Sequence, residues 1–233
     1  WTTVDGTLIP HQIVEAFDRG EQAQVPIIAG FNSGEIRSLR RLLPPAPDTK
    51  TGYEEKIRDL YGDLADVFLA IYPPDNVDES MLARKQTELG QDAFLYLFDH
   101  GYPAADEAGL HAFHASEIPF VFGTIHDTAP NWPKVPRTTE ERALSDAIMQ
   151  YWATFARDGA PTAHAQVDWP GYGPEAAFLV FNETPQAGKQ LLGTRYTLNE
   201  AVVCRRRAAG DQPWHWNVGI ASPPMPPRVA GCQ

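Results

Sequence analysis

The sequence predicts an α/β protein with a largely parallel sheet. Two apolar runs of strand length, Val25–Gly30 and Ala93–Phe98, are separated by long stretches with helical spacing, and a third short run follows at Ala177–Phe181. In such a fold the functional groups lie in loops beyond the strand ends.

The elements follow in order. Val25-Pro-Ile-Ile-Ala-Gly30 runs into the polar loop Phe31-Asn-Ser-Gly34, which reads as a buried strand entering a tight turn, with Glu35 just past its end. Residues 41–50 are Pro-rich and form a connection; Tyr53–Leu60 and Ala65–Ile71 then show helical apolar spacing, stopped by Pro73-Pro74. Ser80 is placed to cap a helix through about Gly90, before Ala93-Phe-Leu-Tyr-Leu-Phe98. A loop with His111 and His114 precedes the aromatic run Ile118–Phe122. Thr138-Thr-Glu-Glu141 has the form of a capping box, and Leu144, Ile148, Trp152 and Phe155 recur at helical intervals, giving a helix over about 139–157. Asp168–Tyr172 is a loop, Ala177–Phe181 a strand and Leu198–Ala208 a last helix. The expected organisation is one α/β portion over residues 1–212 and a Pro-rich tail over 213–233, whose Trp214-His-Trp216 pins it to the body. An open edge of apolar strands must be covered or paired, so the chain reads as part of a larger fold.

The 233 residues are 43% hydrophobic and 11% aromatic, enough for a folded core. The net charge of -11 repels a phosphate backbone, so nucleic-acid binding is not expected. Mean hydropathy is -0.34, and no apolar run approaches the roughly 18 residues that span a bilayer, so no membrane partner is expected either. Neutral or cationic small ligands suit this surface, and added salt would slow a cationic one. The chain begins at Trp1 without an initiator Met, which reads as processing or trimming, with something upstream.

A carboxylate after one strand and a histidine after the next follow the order acid, then base, in a Ser, Asp/Glu, His triad. Glu35 and His114 stand in that order. None of the six serines, Ser33, Ser38, Ser80, Ser116, Ser145 and Ser222, has the flanking glycines of G-x-S-x-G, so neither the nucleophile nor the oxyanion hole is accounted for. His111, His114 and Glu117 stand at spacings of three but lack zincin spacing; His111 reads as structural, and Glu117 as anchoring the histidine loop. Arg205-Arg-Arg207 reads as a solvated helix end favoured by the helix dipole.

The surrounding words carry a resemblance. Gly30-Phe-Asn-Ser-Gly-Glu35 resembles the G-x-N-x-x-E loop of the type B carboxylesterase and cholinesterase family. Phe113-His-Ala-Ser-Glu-Ile-Pro-Phe-Val-Phe-Gly123 resembles its H-x-x-E-I-x-[FY]-V-F-G block. Further similarities run in family order: Val4-Asp-Gly6 with Pro10, Tyr96–His100, Tyr151-Trp152 with Phe155-Ala156, Gly159 with Pro161, and Trp169–Tyr172. The resemblance covers nearly all of residues 1–205 but only the family's C-terminal half, in a para-nitrobenzyl-esterase-like form.

It implies the C-terminal half of an α/β-hydrolase fold, with Glu35 as the acid and His114 as the base of a Ser-His-Glu triad. The implied reaction is hydrolysis of a small-molecule carboxylic ester through an acyl-enzyme, without cofactor or metal. The serine would come from a missing N-terminal segment or companion chain, and the isolated chain would be inactive. The alternatives are a non-catalytic, cholinesterase-like interaction module and an inert fragment. Two departures stand out: the segment between Met81 and Phe94 is shorter than in the family, and Cys204 lacks its usual earlier partner, leaving Cys232. A 204–232 disulfide fits an exported protein, so a secreted or periplasmic location is expected over a cytoplasmic one.

Overall fold

A computed structural model describes residues 4–232 except 43–44, 46, 72–89, 192 and 211–218. The helix expected after Ser80, most of the shortened 81–94 segment and Trp214-His-Trp216 lie outside the described residues. The chain forms two compact units, one of residues 1–38 and 78–191, the other of 39–77 and 192–233.

The first unit is built on a four-stranded sheet in the order β1-β2-β3-β4. Strands β1 (Ile27–Asn32), β2 (Ala93–Phe98) and β3 (Ala177–Phe181) are parallel, in registers that set Gly30 opposite Tyr96 and Phe98 opposite Phe181. Strand β4 (Pro185–Lys189) returns antiparallel on β3. Pleating sorts the side chains by parity. Phe94, Phe98, Leu179 and Phe181 join one buried cluster with Ile28 and Tyr96 against it, while Ala93, Leu95 and Phe178 join another with Ile27 and Val180. Both faces are apolar, as expected for parallel strands covered on both sides. At Gly30 a Cβ would stand 2.2 Å from the Tyr96 ring, so only glycine lets that ring lie across β1.

Helix α1 (Ile13–Asp18) precedes the sheet. The short helices α4 (Pro103–Glu107) and α5 (Ile118–Val121) follow β2, the second taking up the aromatic run with Phe120 fully buried. Helix α6 (Thr139–Asp158) lays Leu144, Ile148 and Tyr151 into the first cluster. Thr138 caps it, its hydroxyl accepting from the Glu141 N–H at 3.3 Å, and Gly159 ends it at φ 75°. The Glu141 carboxylate turns to His100, 2.8 Å from Nε2, so the capping-box pattern marks the helix start while its acid serves the partly buried His100.

The second unit holds α2 (Lys50–Tyr61), α3 (Ala65–Ile71) and α7 (Thr194–Ala208) around Ile57, Leu60, Tyr61, Phe68, Leu198 and Val202. The described part of the C-terminal segment is tied into it. The Gly219 N–H donates to the Tyr61 hydroxyl at 2.8 Å, the Met225 N–H to the Leu60 carbonyl at 2.6 Å, and Cys204 and Cys232 form a disulfide.

The expected solvated helix end is corrected here. Arg205 and Arg206 are buried and only Arg207 is exposed. Arg205 donates two hydrogen bonds to Asp63, at 2.6 and 2.8 Å, and Arg206 donates to the Ser222 hydroxyl at 2.6 Å. The helix dipole favours cations at this end, but packing decided which of them face inward.

The Arg205 hydrogen bonds hold the Asp63 carboxyl below the usual carboxylate range. A depressed acid stabilises the fold above its unfolded value and loses that contribution as pH falls through its folded one. Asp63→Asn therefore lowers stability near neutral pH by about 1–2 kcal/mol. The loss is held to that size because the Asp63 side chain is 54% exposed and water screens the pair. Urea unfolding at about pH 7 and at about pH 2.5 checks it, the difference between variant and parent narrowing at the lower value.

Candidate active site

Glu35 and His114 both follow the carboxyl ends of neighbouring parallel strands. Strand β1 ends at Asn32, and Glu35 opens the 3-10 helix Glu35–Leu42. Strand β2 ends at Phe98, and the chain passes through α4 before reaching His114. Between the two loops the Gly34 N–H donates to the Ala112 carbonyl at 2.8 Å, and Gly34 forms a parallel bridge with Phe113. An isolated parallel bridge thus ties the loop after β1 to the loop that carries His114.

Across that bridge the Glu35 Oε2 lies 2.6 Å from His114 Nδ1, although the residues are 79 apart in the chain. Glu35 Oε1 accepts from the Asn32 N–H at 3.1 Å. The acid side chain is 24% exposed and the histidine 52%, so Glu35 is held inside while the imidazole reaches toward solvent. With Nδ1 turned to the carboxylate, Nε2 is left for an incoming proton donor, and the carboxylate fixes which nitrogen carries the hydrogen.

Glu117 lies on the inner side of this pair. Its Oε2 accepts from the Asn32 amide at 2.5 Å, and the same amide nitrogen donates to the Phe113 carbonyl at 2.8 Å. Burial pushes the Glu117 carboxyl above the usual carboxylate range, against the Asn32 hydrogen bond that pulls it down. The anchoring role expected of Glu117 has this geometry. His111 stands between two acids, Nδ1 2.7 Å from Asp106 and Nε2 3.2 Å from Asp99, at φ 53°. Among the described residues no group of three or more His, Cys, Asp or Glu is arranged to hold a metal ion.

Sequence reasoning named Glu35 and His114 but gave Asn32 no role. The only signal was its place in the G-x-N-x-x-E phrase, two residues from the turn glycine. Among the described serines, Ser145 donates to the Phe120 carbonyl, Ser222 meets Arg206, and the buried hydroxyls of Ser33 and Ser116 have no hydrogen-bond partner. No helix among the described residues is long and apolar enough to cross a membrane.

The sequence model of the carboxylesterase family matches residues 50–198, more than half of the chain, with His114 inside the match and Glu35 before it. Carboxylesterase 1D of Rattus norvegicus is 28% identical over 92% of this chain and 43% of its own length. Human carboxylesterase 3 is 30% identical over 81% of this chain and 39% of its own length. A medium-chain fatty acyl-CoA hydrolase precursor of Anas platyrhynchos is 36% identical over 47% of this chain. The chain thus spans less than half the length of these relatives.

Among solved structures, a PNB esterase superposes with a TM-score of 0.64 at 22% identity, over 84% of this chain and 42% of its own. A Geobacillus stearothermophilus carboxylesterase does so with a TM-score of 0.59 at 24% identity, over 84% and 44%. At these identities the likeness bears on the fold, and the mostly parallel sheet flanked by helices is part of an α/β-hydrolase fold. With sequence match and fold in agreement, the chain belongs to the carboxylesterase family.

Proposed function

We propose that Glu35 and His114 are the acid and the base of a Ser-His-Glu triad that hydrolyses carboxylic esters through an acyl-enzyme. The 2.6 Å contact between Glu35 Oε2 and His114 Nδ1 at the ends of adjacent parallel strands carries this reading. In the reaction His114 Nε2 accepts the serine hydroxyl proton as the oxygen attacks the ester carbonyl, and returns it to the departing alkoxide. Water then enters against the acyl-enzyme by the same route in reverse. Glu35 stays ionised, keeps the ring in one tautomer and stabilises the imidazolium.

None of the six serines carries the G-x-S-x-G elbow, so in this proposal serine and oxyanion hole come from an N-terminal segment or companion chain. By itself this chain then orients a base without a nucleophile. The test is a fluorophosphonate reaction followed by intact mass, on this chain alone and after co-folding with an N-terminal carboxylesterase half that carries the serine. Label on the companion, together with ester turnover only in the mixture, is the expected result. Label and turnover on this chain alone would overturn the assignment of the nucleophile.

A further inference from the structure

We propose that Asn32 is a positioning residue of the Glu35–His114 pair, fastening the acid's strand to the base's loop. This rests on the acid–base reading above. Asn32 is 3% exposed and spans both sides of the site. Its backbone N–H binds Glu35 Oε1, while its side-chain nitrogen binds the Phe113 carbonyl and Glu117 Oε2. The orientation of the amide is determined by chemistry: a backbone carbonyl only accepts, so the NH2 end must face Phe113, and its second hydrogen then reaches the Glu117 carboxylate.

The two halves of the residue act on different partners. Any residue other than proline at position 32 keeps the N–H that holds Glu35, so replacing the side chain leaves the acid in place and frees the base. An aspartate there is similar in shape but has no hydrogen to donate, and sets its carboxylate against the Phe113 oxygen and the Glu117 carboxylate. Glu117→Gln supplies an amide that can donate to that aspartate. The polarity of the contact is then reversed and one of the two side-chain links is restored.

The test reads the low-field Nδ1 proton of His114 in this chain by NMR, a signature of the ring's bond to Glu35 that needs no serine. Asn32→Asp is expected to speed its exchange with water about tenfold or more, and Asn32→Asp with Glu117→Gln to recover most of that loss. Glu117→Gln alone keeps an acceptor oxygen for Asn32 and is expected to exchange like the parent. If Asn32→Asp does not fold, Asn32→Ser, which is too short to reach and adds no charge, takes its place against the parent. Parental exchange in the Asn32 variant overturns the proposal. So does a double variant no better than Asn32→Asp, or a Glu117→Gln effect as large as that of the Asn32 change. Glu35→Gln must itself shift the proton; if it does not, the acid–base reading has failed before Asn32 enters.

Discussion

Replacing His114 by alanine in the completed esterase is expected to lower kcat by about 10⁴-fold or more, with little change in KM. In the proposed triad the ring is the proton carrier for both halves of the reaction, and the described structure offers no second histidine against Glu35. Glu35→Gln should fall by about 10²–10⁴-fold. An amide can still touch Nδ1, but it brings no charge to the imidazolium and can present its NH2 end, which selects the wrong tautomer. Initial rates with a neutral ester, measured beside the parent, give both numbers. Loss in His114→Ala with full activity in Glu35→Gln would leave the base in place and remove Glu35 from the triad. Full activity in both would end the triad assignment.

The second large effect is expected at Gly34. A Cβ there would stand 2.6 Å from the Leu110 carbonyl oxygen and 2.7 Å from that of Ala112. Both obstacles are backbone, so no side chain can swing aside, and the loop that carries them is tied to Gly34 through the Ala112 carbonyl. Gly34→Ala must therefore push the loops apart at the bridge that brings Glu35 to His114. Overpacking of this kind costs about 1–3 kcal/mol. A displacement near 1 Å between acid and base is enough to cost about 10² in rate. Urea unfolding and turnover in the completed enzyme read the two effects separately. An unchanged midpoint together with unchanged rate would mean that the loops yield freely and that the bridge does not set the geometry.

The parallel strands were legible because their residues are apolar on both faces; Ala93–Phe98 and Ala177–Phe181 form at the positions their patterns indicate. The long helix was legible because Thr138 opens a capping-box pattern and Leu144, Ile148, Trp152 and Phe155 recur at helical intervals. Strand β4 was not. Pro185-Gln-Ala-Gly-Lys189 has neither alternation nor β-branched residues, and it is a strand because the edge of β3 offers it backbone partners. The arginines after Cys204 show the same limit: helix polarity predicts cations there, while Asp63 and Ser222, distant in sequence, decide that two of the three are buried.

The candidate site divides along the same line. The proposed acid and base, Glu35 and His114, and their order after successive strands were named from the sequence alone, because each sits in a phrase that resembles one of the carboxylesterase family. Their 2.6 Å contact was decided by the tertiary structure, through the Gly34–Phe113 bridge and the Asn32 amide. Local sequence dictates local geometry. Hydrogen bonds between loops some eighty residues apart exist only once the sheet has set those loops side by side.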